Sequence, residues 1–241
     1  MSDLCYTTEY TILSKDVDPQ RRLRLSALFS MLQEAAIEHT IRLGMGREKT
    51  LDRGLLWVIT LQHAKIERLP LYDEKIVLQT WPGADMHMYF PRYFRISDYA
   101  GNTLVNVSMV WGLMEAKTRH LIFPEEYGIV IPENTDMPAL SFPRSPVMKD
   151  LQSAGTFSVP RSYTDINGHM NNTRYFDLAE DTMPSALYAR DLCEIRTSFL
   201  SEAAFGTDIQ LYNSADADTY LLEGRSSSLD KPLFRMALRF R

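Results

Sequence analysis

The chain has 241 residues, 45% of them apolar and 24% charged, and carries a formal net charge of −5. That length can bury a sizeable core, as one large domain or as two of about 100–150 residues. The negative balance argues against general nucleic-acid affinity, which rests on neutralising phosphates. No apolar run approaches the roughly 18–20 residues that span a bilayer, so membrane insertion is not expected.

The opening Met1-Ser2-Asp3-Leu4-Cys5-Tyr6 has neither a basic nor an apolar leader pattern. Cys5 and Cys193 form neither a disulfide framework nor a metal-ligand spacing. A cytoplasmic protein without metal or cofactor is the expectation.

In chain order, Tyr10–Leu13 reads as a short strand, followed by a polar turn with Asp16 and Asp18. A helical pattern then aligns Leu28, Met31, Leu32, Ala35, Ala36, His39 and Leu43 on one face, with Ser26 near its start and Gly44 at its end. Strand patterns follow at Leu55–Glu67, Lys75–Trp81, Tyr89–Ser97 and Thr103–Glu115, with a hairpin turn at Asp98–Asn102 between the last two. Residues 131–155 hold Pro132, Pro138, Pro143 and Pro146, and read as a linker between domains at 1–130 and 156–241. Beyond it, Phe157–Tyr163 reads as a strand, Asp165–Asn171 as a turn, and a helix starts at about Thr173 and breaks near Pro184. Strand patterns then cover Cys193–Phe199, Asp208–Asn213, Thr219–Ser226 and Leu233–Phe240, with a turn at Asp230-Lys231-Pro232.

Each half thus runs strand, helix, then about four antiparallel strands. A single apolar helix stripe beside alternating strands predicts an α+β fold in which a curved sheet wraps a central helix. Aligning Glu34 with Glu180 brings Asp18 within one residue of register with Asp165, so the halves read as an internal duplication. In that alignment Asn167, His169 and Asn172 face Arg21 or Arg22, Leu23 and Ser26. The polar group survives in one copy, which predicts one site per chain.

That group is the stretch Asp165-Ile166-Asn167-Gly168-His169-Met170-Asn171-Asn172, running into a helical pattern. It places an acid, an amide and an imidazole two residues apart, with Gly168 permitting a tight bend and an Asn at the helix entrance able to cap its N–H groups. The purely structural alternative is an Asx turn followed by a cap. As a Ca²⁺ loop the stretch fails, since Gly168 falls too early and Phe176 stands where the bidentate acid belongs.

These residues resemble those of the acyl-acyl carrier protein (acyl-ACP) thioesterases of bacteria and plant plastids, which are two hot-dog folds in tandem. The resemblance runs from Tyr6 to Arg241. It rests on Leu32-Gln33-Glu34-Ala35-Ala36, Trp57-Val58 and Trp81-Pro82 in the first half. In the second half it rests on the Asp165–Asn172 string and on Ser201-Glu202-Ala203 ahead of Gly206-Thr207-Asp208.

The resemblance implies a catalytic network of Asp165, Asn167, His169 and Glu202. Plant members carry a Cys after this Glu, where the chain has Ala203, so a thiol nucleophile is excluded and attack by water is favoured. Asp165 is expected as the main water-activating or attacking acid, with Asn167 orienting it or the carbonyl, His169 hydrogen-bonding the water, and Glu202 holding His169 in its tautomer or sharing the base role. N–H groups around Asn171, Asn172 and Arg174 would receive the oxyanion.

The acyl chain needs an apolar tunnel, which the resemblance places in the first half, among Met31, Leu32, Trp57, Met88 and Met109. The implied partner is an acyl carrier protein bearing a fatty acyl phosphopantetheine arm, with Arg21, Arg22, Arg24, Arg174 and Arg190 as a candidate basic rim. Whether two chains pair is open. Hydrolysis of acyl-CoA and non-catalytic binding of acyl thioesters remain the alternatives.

Overall fold

The computed structural model describes residues 4–241. The chain divides into two compact units. One runs through Thr60 and resumes from Leu69 to Pro143; the other comprises Leu61–Arg68 and Arg144–Arg241. The break between Pro143 and Arg144 lies within residues 131–155 of the expected linker, whereas Leu61–Arg68, expected in the first domain at 1–130, group with the second unit. Asn134 in the linker is buried, and its amide donates to the Leu4 carbonyl at 2.8 Å.

In the first unit, strands β1 (Tyr6–Thr11), β2 (Leu55–Ile66), β3 (Lys75–Pro82), β4 (Tyr89–Asp98) and β5 (Thr103–Glu115) hydrogen-bond in the order β1-β3-β4-β5-β2. Helix α1 (Leu25–Arg42) packs on β1 and β3 and buries Leu25, Leu28, Phe29, Leu32, Ala35, Ala36 and His39. Leu28, Leu32, Ala35, Ala36 and His39 match the predicted stripe; Leu25 and Phe29 join it, Met31 is half-buried and Leu43 caps the helix.

In the second unit, the later part of β2 pairs with β7 (Leu192–Phe199), Leu61 facing Ser198 and Lys65 facing Glu194. The order continues through β10 (Pro232–Phe240), β9 (Thr219–Ser226) and β8 (Asp208–Ala215) to β6 (Gln152–Ser158). Helix α2 (Arg174–Thr182) buries Tyr175, Phe176, Leu178 and Ala179 and ends as expected before Pro184, where the short α3 (Ser185–Tyr188) begins. The ladders β1–β3, β3–β4, β4–β5, β2–β7, β7–β10, β10–β9, β9–β8 and β8–β6 are antiparallel. Among the described residues no helix is long and apolar enough to cross a membrane.

Two elements lie elsewhere than predicted. β1 is Tyr6–Thr11 in place of Tyr10–Leu13, because the chain leaves the strand for a 3-10 turn at Ser14–Asp16. β6 is Gln152–Ser158 in place of Phe157–Tyr163, because Pro160 lacks a ladder N–H and Arg161–Tyr163 forms a 3-10 turn.

His63 on β2 and Glu194 on β7 pair at 2.7 Å, and Glu194 also accepts from Arg196 and Arg239. Burial pushes His63 below its ordinary value, aided by the Arg196 and Lys65 charges and opposed by the Glu194 bond. Burial alone would raise Glu194, but bonds from Arg196 and His63 outweigh it and hold the carboxyl low.

Below about pH 6.5 the unfolded histidine takes its proton before the folded one does. The His63 contribution is therefore complete above that pH and lost as pH falls towards its folded value. Thermal unfolding between pH 7 and 5.5 is expected to show a falling Tm, with a smaller fall in His63→Gln.

Candidate active site

The loop between β6 and α2 is built by Asp165. Its Oδ1 accepts from the Asn167 N–H at 2.8 Å and more weakly from the His169 N–H at 3.4 Å. Its Oδ2 accepts from the Asn167 side-chain amide at 3.3 Å. The Asp165 N–H donates to the His169 carbonyl at 2.8 Å, closing a tight loop whose bend is Gly168, at φ 76°. The Asx turn is therefore present, and it serves to point His169.

A second segment reaches His169 from the end of β7. The Met170 N–H donates to the Ala203 carbonyl at 2.7 Å, and His169 and Ala204 form an antiparallel bridge. This pairing sets the Glu202 Oε1 at 3.5 Å from the His169 Nδ1. Both side chains keep partial access to water, 22% for His169 and 33% for Glu202. They line a cleft of about 490 Å³.

The four expected catalytic residues therefore meet in one unit. Sequence reasoning missed a fifth residue beside them, Tyr175 of α2, buried against Phe234 at 4.7 Å and Phe199 at 5.5 Å. Burial first, then the charges of Glu202 and Asp165, push its phenol well above the ordinary value. An aromatic next to the capped helix entrance was the available signal, but it also fits plain core.

The helix entrance differs in detail from expectation. Asn171 Oδ1 accepts from the Thr173 N–H and hydroxyl, each at 2.9 Å, which is the predicted capping role one turn early. The N–H groups of Asn171 and Arg174 donate to the Tyr163 and Asn171 carbonyls. Of the named oxyanion donors, the N–H groups of Asn171 and Arg174 are thus already engaged, as is that of Thr173 between them. Asn172 remains as the donor at this position.

The duplication is visible in the first unit, one residue away from the helix-centred alignment. Val17 bridges Leu23 as Thr164 bridges Met170, and Arg22 bridges Leu71 as His169 bridges Ala204. Leu23 donates to the Pro70 carbonyl at 2.8 Å as Met170 does to Ala203, and Arg21 takes the left-handed bend of Gly168, at φ 64°.

His169 thus corresponds to Arg22 and not to Leu23, and Glu202 corresponds to Leu69. In place of an imidazole beside a second acid, Arg22 pairs with Asp18 at 3.0 Å, a largely buried ion pair that ties the loop shut. Arg22 and Arg24 are therefore held inside the first unit, Arg24 on the Val17 carbonyl at 3.1 Å, and offer little to a basic rim. Arg174 is paired with Asp177 and Arg190 bonds the Ala217 carbonyl.

The proposed acyl-chain residues differ in burial. Leu32 and Met109 have no exposed surface, whereas Met31, Trp57 and Met88 are half-buried. The Trp57 ring meets Phe90 edge-on at 5.1 Å, and its indole N–H is buried without a hydrogen-bond partner.

Residues 3–127 match the family model of the acyl-ACP thioesterase N-terminal domain, and residues 148–229 match that of the C-terminal domain. A palmitoyl-acyl carrier protein thioesterase of Cuphea hookeriana is 25% identical over 83% of the chain and 52% of its own length. A dodecanoyl-[acyl-carrier-protein] hydrolase of Cinnamomum camphora is 28% identical over 77% of the chain and 52% of its own. The chain spans about half the length of these curated relatives. In fold, an acyl-ACP thioesterase from Bacteroides thetaiotaomicron superimposes with a TM-score of 0.84 at 22% identity, over 100% of both chains. The tandem hot-dog architecture is thereby shown.

Proposed function

Because the chain belongs to the acyl-ACP thioesterase family, we propose that it hydrolyses fatty acyl-ACP thioesters to free fatty acid and holo-ACP. The observation that carries this reading is the His169–Glu202 pair on a cleft, held by the loop that Asp165 organises.

Water bound between Glu202 and His169 loses a proton to this pair as its oxygen attacks the thioester carbonyl. Negative charge moves to the carbonyl oxygen, where Asn172 donates a hydrogen bond. The C–S bond then breaks, and the departing sulfur recovers the proton from the pair. Asp165 was expected in the base role, but loop N–H groups and Asn167 occupy much of its carboxylate. We assign Asp165 to holding the loop that carries His169 and to supplying fixed negative charge, with Asn167 orienting its carboxylate. With Ala203 after Glu202, the step needs no thiol.

The acyl chain is assigned to the first unit, where Met31, Trp57 and Met88 combine apolar surface with partial exposure, and Leu32 and Met109 extend the apolar set. Release of free thiol from a panel of acyl-ACP thioesters tests the whole reading. Turnover is expected on fatty acyl-ACP and should exceed that on acyl-CoA of the same chain; no release from any member would overturn it. In the same panel Met31→Trp is expected to shift preference to shorter chains, and an unchanged profile would remove Met31 from the channel.

A further inference from the structure

The cleft that His169 and Glu202 line is mixed in character. Leu229, Leu233 and Ala204 give it apolar surface, beside hydroxyls from Ser201, Thr207 and the Ser226–Ser228 run and one ammonium group, Lys231. A fatty chain would lay its methylenes against polar groups over much of this wall, without the roughly 0.8 kcal/mol that each gains from an apolar one. The thioester carries a second limb, however, and that limb is polar. A phosphopantetheine arm has two amides, a hydroxyl, a gem-dimethyl group and a terminal phosphate.

Resting on the hydrolase reading above, we infer that this cleft seats the phosphopantetheine arm, with its thioester at His169 and Glu202 and its phosphate at Lys231.

The hairpin joining β9 to β10 is shaped for that task. The Ser226 N–H donates to the Lys231 carbonyl and the Asp230 N–H to the Ser226 carbonyl, both at 2.9 Å. The Ser227 hydroxyl donates to the Asp208 carbonyl at 2.8 Å, which fixes the hairpin on β8. Ser228 shares a 3.1 Å hydrogen bond with Ser226.

The charges are also arranged. Asp230, next to Lys231, lies 3.7 Å from Arg225, which offsets its charge. Asp208, the other acid on the cleft besides Glu202, accepts from the Ser158 hydroxyl. Among the described residues no ion pair joins Lys231 to a carboxylate, so its charge is available to an incoming phosphate. Leu229, 74% exposed on the same wall, gives the gem-dimethyl group an apolar neighbour.

The test uses acyl thioesters of one chain length on three thiols: N-acetylcysteamine, pantetheine and phosphopantetheine. In the wild type, kcat/KM is expected to rise along the series. Lys231→Met is expected to lower the ratio of phosphopantetheine to pantetheine about tenfold, the size of a lost bond to a charged group. Ser228→Leu, which intrudes on the cleft, is expected to lower the ratio of pantetheine to N-acetylcysteamine. Ratios equal to wild type in both variants would overturn the inference.

Calorimetry with free phosphopantetheine keeps the two readings apart. Binding that weakens in Lys231→Met supports the arm site even if no thioester is hydrolysed. Hydrolysis that proceeds with no binding difference leaves the hydrolase reading standing and overturns the arm site.

Discussion

Glu202→Gln is expected to lower kcat on acyl-ACP by about 10²–10⁴-fold, the usual contribution of a positioned acid–base group. Glutamine keeps the size and hydrogen-bonding reach of the side chain but cannot take a proton from water. Glu202 is partly exposed, so the fold should survive, and Tm should change little. Asp165→Asn makes the informative comparison. Asparagine still accepts from the Asn167 N–H through its Oδ1, so the main loop bond is retained, while the charge and the weaker 3.3 Å bond from the Asn167 side chain are lost. Its loss of kcat is expected to be smaller than that of Glu202→Gln. A larger loss in Asp165→Asn, at equal Tm, would return the base role to Asp165.

Gly224→Val is expected to be the most destabilising single change near the site. A Cβ at Gly224 would collide with Phe234 Cε1 and lie 2.8 Å from Ile209 Cγ2. Both neighbours are wholly buried, so neither ring nor methyl group can swing into solvent. Overpacking of this kind costs roughly 1–3 kcal/mol and can exceed that range. Phe234 also packs on Tyr175 in the first turn of α2, the helix that follows the Asp165–His169 loop. Gly224→Ala, milder in volume, should therefore lower both Tm and kcat, measured by thermal unfolding and thiol release. A Gly224→Ala protein with wild-type Tm would show that Phe234 has room to move.

The two misplaced strands show where pattern reading stops. β1 and β6 occupy equivalent places in the duplication, each at the end of its unit's strand order. Tyr6-Thr7-Thr8-Glu9 and Gln152-Ser153-Ala154-Gly155 carry little apolar alternation, because an edge strand with a solvated face gains little from burial. The apolar residues just beyond, Ile12 and Val159, are buried and drew the predicted strands towards the turns. Central strands such as β5 and β9 were legible to the residue, since both pack on a core.

The catalytic residues divide in the same way. Asp165, Asn167 and His169 could be read together because a turn and a helix start are local events, written in consecutive residues. The Glu202 position came from family likeness; its approach to His169 depends on the Met170–Ala203 bond, which no local pattern encodes. The true counterpart of His169 in the first unit needed the paired bridges of both loops, because helix centres alone leave a one-residue ambiguity.

Composition, the long central strands, the helix stripe and the capped Asp–Asn–His turn were determined by the sequence alone, each resting on interactions within a few residues. Which acid faces the cleft, which N–H groups remain to meet a substrate, and how hydroxyls of a distant hairpin join the site were decided only by the tertiary structure. Those outcomes depend on which donors and acceptors the fold has already satisfied, and that is a property of segments brought together across the chain.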